Sequence, residues 1–359
     1  MKVKAACIKK IAIIFNLKKE GVKDDSCEEY DEIETIDALS KELRALAPYV
    51  FCIEQSKDLA KDILKVNPDF VFNLAEGIGA KRARESQVPC VLESLNIPYS
   101  GSDPIALGVT LDKYLTNIIL KSAGIPVPYA FTAKDESQLR FLKSIFKHNK
   151  LFIIKPRWEG SSRGIFLNSI VSGYDELKKR AGFIFKKYKQ PVLVEEFLEN
   201  DEITVGVCGN HTPFILGMMR VAAKLKSGKP FLYSQENKRD WQTKIKYEPQ
   251  GSIKKSVQKA IEKYAIEAFK ALELRDVARI DFRLDCNNTP KIIDINPLPG
   301  LSPYYSDLPI VCELHGKNYS YLIRTILKEA LKRNKFKLTQ KMHSKKYIFC
   351  QKGQRRIHS

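Results

Sequence analysis

Arg279-Ile280-Asp281-Phe282-Arg283, followed after a polar connector by Asp294-Ile295-Asn296-Pro297-Leu298-Pro299-Gly300, is the stretch on which the fold turns. Side chains alternate across a strand with a period of two. Arg279 and Asp281 therefore share one face of a first strand, and Asp294 and Asn296 share one face of a second. The connector, Asp285-Cys286-Asn287-Asn288-Thr289-Pro290, is rich in turn formers and predicts a hairpin. Paired in register, the strands bring two carboxylates, one amide and one guanidinium onto one surface. Hard oxygen donors of this kind suit Mg²⁺, which takes few carboxylates and completes its shell with water and phosphate oxygens. The alternative is a solvated polar face on an amphipathic hairpin. The Asn-Pro-Leu-Pro-Gly run directly after a polar strand favours the site.

Upstream, apolar runs and helical periodicities alternate. Residues 11–17 read as a buried strand, 31–46 as a helix, 49–53 as a strand, 58–66 as a helix and 69–74 as a strand. This βαβαβ order implies a parallel sheet flanked by helices, with functional residues in loops after the strand ends. Residues 73–80, with Glu76, form such a loop. A helix is expected near 84–95 and a long helix over 103–123 carrying Asp112-Lys113, with Ile125-Pro126-Val127-Pro128 as a linker. Strands are expected at 151–155, 192–196, 202–208 and 214–221, an exposed loop at 224–242 and a helix at 252–272.

With 359 residues, 44% of them hydrophobic, the chain is long enough for two or three domains with sizeable cores. No apolar run approaches a membrane span. Residues 1–17 are basic and then apolar, but the apolar run is short and no small-residue cleavage site follows, so they read as a first strand. The eight cysteines have no metal-type spacing and read as reduced thiols in a cytoplasm. The net charge is +19, and residues 331–359 hold ten Lys or Arg and no acid. That segment reads as a solvated basic tail, and nucleic acid is not an expected partner because aromatic interleaving is missing.

Gly160-Ser161-Ser162-Arg163-Gly164 follows a strand ending in Lys155. Glycines let backbone amides approach a phosphate, and serines add hydroxyl donors. The lysine precedes the glycines, so this is not a Walker A loop, and a plain hairpin turn is the competing reading. Lys155 alone could be a snorkelling surface lysine, and Lys113 an ordinary helical one. Glu195-Glu196-Phe197-Leu198 could hold an adenine between backbone groups and apolar surface, with Glu202 reaching a ribose, or could be a solvated strand end.

Taken in order, these stretches resemble the ATP-grasp ligases, and within them the D-alanine–D-alanine ligase family. The resemblance spans roughly 96–308. It rests on Ile97-Pro98-Tyr99-Ser100-Gly101-Ser102, Leu111-Asp112-Lys113, Ile154-Lys155-Pro156 with Glu159-Gly160-Ser161-Ser162 and Gly164, Val194-Glu195-Glu196 with Glu202, Arg279-Ile280-Asp281, and Asn296-Pro297 with Pro299-Gly300. It implies an α/β ATP-grasp fold: an N-terminal Rossmann-like, parallel-sheet pre-ATP-grasp domain (1–105), a small lobe (106–190), a large lobe with the Mg/ATP site (191–334) and a disordered basic tail (335–359). It further implies that Lys113, Lys155 and Lys238 hold ATP phosphates beneath Ser161 and Ser162. Glu195, Glu196, Phe197 and Leu198 would contact adenine and Glu202 the ribose. Asp281, Asp294 and Asn296 would bind two Mg²⁺ ions, with Mn²⁺ as a substitute. Arg279 and the Gly300 amide would stabilise the acyl phosphate and the tetrahedral intermediate.

Departures from the family pattern fall on the amino-acid pockets. Asn16-Leu17-Lys18-Lys19-Glu20 stands where the family has Gly-Gly-x-Ser-x-Glu, whose glutamate takes the first D-alanine's ammonium. Arg239 replaces a tyrosine, Tyr305 aligns with the serine that receives a carboxylate, and the loop with Glu76 lacks the family's histidine. The expected activity is ATP-dependent carboxylate–amine ligation through an acyl phosphate, on D-alanine or on other small carboxylates and amines, with D-alanine a poor substrate. A homodimer is within expectation. The rival readings are a nucleotide-binding protein without ligase activity, and a nucleic-acid binder using the tail. No Ser-His-Asp or Cys-His arrangement is present, which fits a mechanism without a covalent enzyme intermediate.

Overall fold

The computed structural model describes residues 6–19, 25–148, 150–200, 202–224, 231–338, 346–351 and 354–358. The expected opening is present: strand Lys10–Phe15, helix Ile33–Arg44, strand Tyr49–Glu54, helix Leu59–Val66 and strand Phe70–Asn73. The three strands are parallel, with Lys10–Phe15 in the middle. Its alternation serves two cores. Ile11, Ile13 and Phe15 face one, with Leu39 and Leu43 of the first helix; Ala12 and Ile14 face the other, with Ile63 and Leu92.

The single helix expected over 103–123 is two, Pro104–Leu111 and Lys113–Ser122. Asp112 lies between them with extended backbone, and its fully buried carboxylate accepts the Leu115 N–H at 3.2 Å. The same carboxylate takes Arg157 through Nε at 2.6 Å and a terminal nitrogen at 2.8 Å, Arg82 at 2.7 Å and the Trp158 indole at 3.2 Å. Helical periodicity continued through the break, but an aspartate with that many donors is held better as an N-cap than inside a helix. Breaking a buried ion pair from one side strands the other charge, at about 3–5 kcal/mol. Asp112→Ala is thus expected to lower the unfolding free energy by about 3 kcal/mol in urea titration. A change below about 1 kcal/mol would mean that Arg157 reaches solvent instead.

Two further sheets follow. Ala130–Ala133, Val192–Glu196, Phe152–Pro156 and Ile170–Val171 form an antiparallel sheet in that order, packed under helix Tyr174–Tyr188. Ile245–Pro249, Phe214–Ala223, Glu202–Gly209, Asp276–Leu284 and Pro290–Asn296 form a five-stranded antiparallel sheet, backed by helix Lys255–Ala271. The hairpin read from the sequence is its edge. Arg279 stands opposite Asn296 and Asp281 opposite Asp294, with a bulge directly after Asp281.

The loop expected to be exposed over 224–242 is so only in part, at Lys224, Arg239, Asp240 and Gln242. Residues 225–230 lie outside the described residues, but Leu232, Tyr233, Ser234 and Gln235 are buried, and short helices Gln235–Arg239 and Trp241–Lys244 follow. Tyr233 and Trp241 pack with Met219, Val221, Ile245 and Val311, which turns a polar-looking segment inward. Helices Asp307–Leu314 and Tyr319–Arg333 fold back onto the first sheet, where Leu308, Cys312, Leu322 and Ile326 share a core with Ile11 and Phe70.

The basic tail carries strands where none is expected from its charge. Phe336–Leu338 pairs in parallel with Ala6–Ile8, and Lys346–Gln351 adds to the open edge of Tyr49–Glu54 and pairs with Gln354–His358. Tyr347-Ile348-Phe349 is a run of strong strand formers, and a free sheet edge offers it backbone partners. Residues 339–345, 352–353 and 359 of the tail, and Glu20 near the first strand, lie outside the described residues.

Candidate active site

Two adjoining cavities lie between the small and large antiparallel sheets and the loops of the first sheet. The first, about 680 Å³, is lined by thirteen of the residues singled out above: Lys113, Lys155, Ser161, Ser162, Glu195, Glu196, Phe197, Leu198, Glu202, Lys238, Arg279, Asp281 and Asp294. The second, about 1300 Å³ and open to solvent, takes in the other five: Glu76, Arg239, Asn296, Gly300 and Tyr305. Ser161, Tyr233, Lys238 and Arg279 line both.

In the first cavity three of the cations are matched by carboxylates. Lys113 Nζ lies 2.5 Å from Asp294, and Lys155 Nζ lies 2.7 Å from Glu195. Arg279 grips Asp281 through Nε and a terminal nitrogen at 2.9–3.2 Å and reaches Asp307 at 3.5 Å. Burial alone would push the Asp294 carboxyl up, but Lys113 and Lys155 outweigh it and hold the group below the usual carboxylate range. Burial likewise works against the Arg279 charge, and Asp281 and Asp307 more than offset it. Thr204 donates to Asp281 at 2.9 Å from the neighbouring strand. Hard oxygens thus converge with lysines on one wall, the composition that binds a polyphosphate with a divalent cation.

The opposite wall is apolar. Phe197 packs with Ile153 and Leu232, and the Arg283 guanidinium lies 4.8 Å over the Phe197 ring. The Glu195 carboxylate is held by Lys155 at 2.7 Å and by Asn117 at 3.1 Å. Glu202 lies deeper; burial, then the charge of Asp281, pushes its pKa to about 7.

The Gly/Ser loop has an unusual backbone. Ser161 and Ser162 both have positive φ, at 46° and 58°, a region L-residues seldom occupy twice in succession. The Ser162 hydroxyl donates to the Tyr233 carbonyl at 3.1 Å, and the Gly160 N–H donates to Glu29 at 2.6 Å. Glu29 also receives Arg84 at 2.8 Å and Arg163 at 3.2 Å. Composition offered no sign of this buried group of Glu29, Arg84, Glu159 and Arg163.

The second cavity holds what pattern matching missed. The place of the family's glutamate after the first strand has other acids near it: Glu28, Glu29, Asp31 and Glu32 all line this cavity together with Glu76. The signal was present as Cys27-Glu28-Glu29-Tyr30-Asp31-Glu32, an acid run before a helix, which reads equally well as N-terminal helix charge. The hydroxyl aligned with Tyr305 is also present one residue on. Ser306 Oγ accepts the Ser302 N–H at 3.0 Å and would stand 2.8 Å from a Cβ placed on Gly300. The extra residue in Tyr304-Tyr305-Ser306-Asp307-Leu308-Pro309 hid it. Arg239 pairs with Glu28, and Tyr305 is 38% exposed.

Asp31 carries a pH signature. Burial, with Glu32 beside it, raises its pKa from 3.8 to about 7. Below pH 3.8 both folded and unfolded chains hold this proton. From there to about pH 7 the unfolded chain releases it first, so the group subtracts from stability increasingly as pH rises, and fully above 7. Asp31→Asn is expected to raise Tm at pH 8 and leave it nearly unchanged at pH 4; an equal shift at both pH values would contradict this.

Two lobes closing on a polyphosphate-type cleft define an ATP-grasp protein, and comparison with known proteins agrees. The model of the D-ala D-ala ligase C-terminus matches residues 119–328. D-alanine–D-alanine ligase of Carboxydothermus hydrogenoformans is 32% identical over 307 residues, covering 84% of this chain and 94% of the relative. The enzyme of the same name from Aquifex aeolicus is 32% identical over 303 residues, covering 84% and 96%. The crystal structure of the Bacillus anthracis D-alanine–D-alanine ligase complexed with ATP superposes with a TM-score of 0.69 at 21% identity, over 91% of this chain and 99% of that one. The chain belongs to the D-alanine–D-alanine ligase family, and membership implies use of ATP. Among the described residues, no helix is long and apolar enough to cross a membrane.

Proposed function

We propose that this chain is an ATP-dependent carboxylate–amine ligase of the D-alanine–D-alanine type, joining two amino acids through an acyl phosphate with release of ADP and phosphate. The observation that carries the reading is the common wall of Ser161, Lys238 and Arg279 between the two cavities. There a carboxylate oxygen in the larger cavity can attack the γ-phosphorus of a nucleotide in the smaller one. ADP leaves, the amine of the second substrate attacks the acyl carbon, and phosphate departs.

In this reading Lys113, Lys155 and Lys238 neutralise phosphate charge that grows during transfer, and Arg279 with the Gly300 N–H receives the developing oxyanion. The backbone of Glu196, Phe197 and Leu198 takes the adenine, Glu195 positions Lys155, and Glu202 meets the ribose. The Ser306 hydroxyl, beside Gly300, takes over the carboxylate role first assigned to Tyr305. Asp281, Asp294 and Asn296 fit Mg²⁺, with Mn²⁺ a substitute. Two carboxylates face each other across the hairpin, and no group of three or more His, Cys, Asp or Glu suited to a metal occurs among the described residues. That is a short donor set for an ion that keeps waters and shares phosphate oxygens. Two Mg²⁺ ions, when bound, would supply charge neutralisation and phosphate alignment. The division into an N-terminal domain (1–105), a small lobe (106–190) and a large lobe (191–334) draws support from the separate main sheets, with the boundary between the lobes moved past Glu196, because Val192–Glu196 pairs within the small lobe's sheet. A cytoplasmic setting is supported by seven free cysteines among the described residues.

The test is phosphate release from ATP across a panel of D- and L-amino acids, with mass spectrometry of products. Release that does not depend on an amino acid would leave a nucleotide-binding protein without ligase activity. D-alanyl-D-alanine is the reference product for the panel.

A further inference from the structure

The larger cavity is an acidic chamber in a protein of net charge +19. Most of its carboxylates already have cations. Glu28 has Arg239, Glu29 has Arg84 and Arg163, Glu32 has Lys18 at 3.8 Å, and Asp307 has Arg279. Asp31 and Glu76 have none: among the described residues neither side chain makes a hydrogen bond or ion pair, yet both line the chamber. Burial, then Glu85 and Glu29, and more weakly Asp31, hold Glu76 well above the usual carboxylate range. The chamber's remaining cation, Lys238, packs over the Tyr233 ring at the wall shared with the nucleotide cleft.

One α-ammonium needs one carboxylate. Two recessed, unpaired carboxyls facing the same space, in a site where every other acid is matched, are completed by two positive charges. Both are half-buried in the chamber wall, and a carboxyl withdrawn from water without a partner is a place where a ligand supplies the missing charge. A substrate with a single ammonium would leave the second carboxyl desolvated and unmatched.

We infer that the amino acid bound against the N-terminal sheet carries a second, side-chain cation, so that Asp31 and Glu76 each receive one positive group of a diamino-acid-type substrate. This rests on the ligase reading and narrows its substrate class. The recognition is a difference between charged and uncharged side chains of equal length. A site with a buried polar group left unpaired by the wrong substrate discriminates far better than an apolar pocket judging size.

The experiment uses the full chain with ATP and Mg²⁺ and compares ornithine with norvaline, and lysine with norleucine, in D and L forms, each offered alone and with alanine as co-substrate. Phosphate release and product mass are read together. Ornithine or lysine is expected to exceed its uncharged counterpart in kcat/KM by at least about tenfold. That ratio is expected to fall toward one in Asp31→Asn and in Glu76→Gln. Both variants replace an unpaired carboxyl with an amide of nearly equal volume. Equal or better use of norvaline and norleucine by the wild-type chain overturns the inference and leaves the ligase reading standing. A ratio unchanged in both variants also overturns it. Absence of phosphate release with every amino acid overturns the ligase reading and this inference together.

Discussion

Asp281→Asn is expected to lower kcat by about 10²-fold or more, with Asn296→Ala close behind, while thermal unfolding stays cooperative. Asp281 lines the smaller cavity and Asn296 the larger one, on paired strands whose register is fixed by backbone bonds. Removing one preorganised electrostatic group at a phosphoryl-transfer site costs on the order of 10²–10³ in rate. The two variants should also need more Mg²⁺ for half-maximal velocity. Each variant has a second effect: Asp281→Asn leaves Arg279 with Asp307 as its ion-pair partner, and Asn296→Ala frees the Leu298 N–H that the amide oxygen accepts at 2.9 Å, so a modest fall in Tm is expected in both. Near-wild-type product formation by Asp281→Asn at low Mg²⁺ would remove this residue from the metal site.

Lys155 gives the second large effect, and a double substitution separates its two parts. Lys155→Met should reduce kcat/KM for ATP by about 10²-fold, because the ammonium answers charge that is greatest in the transition state. It should also destabilise the fold by about 3 kcal/mol, since Glu195 would remain buried with Asn117 as its remaining partner. Adding Glu195→Gln removes the stranded charge and should restore most of the stability without restoring ATP use. If the double variant recovers both, the lysine serves packing and not the nucleotide.

Part of the cleft was legible in the sequence because period-two spacing puts Arg279 with Asp281 and Asp294 with Asn296, and the register sets the two pairs opposite one another. Lys113, Lys155, Ser161, Ser162, Glu195 and Lys238 were legible through the order of motifs that carries the family resemblance. The second chamber was legible only in part: Glu76, Arg239, Asn296, Gly300 and Tyr305 were singled out, while the acid run at 28–32 and the buried segment from Leu232 to Gln235 were not, because they lie in connecting segments. Nothing periodic marks a loop that reaches across a cleft. The split at Asp112 was missed for a related reason. Its cause is a set of tertiary partners, Arg82, Arg157 and Trp158, that helical spacing cannot express. The tail's strands were hidden behind its charge, which outweighs a short run of strand-forming residues in any composition count.

That division of labour between the two cavities bears on how such a protein changes over generations. The groups for phosphoryl transfer are anchored in ladders of hydrogen bonds, where a one-residue slip would turn every side chain to the wrong face. The walls that meet the amino acids are built from connecting segments, which tolerate insertion and replacement. Descendants of one ancestral chain can therefore exchange their substrates loop by loop and inherit the same reaction unaltered.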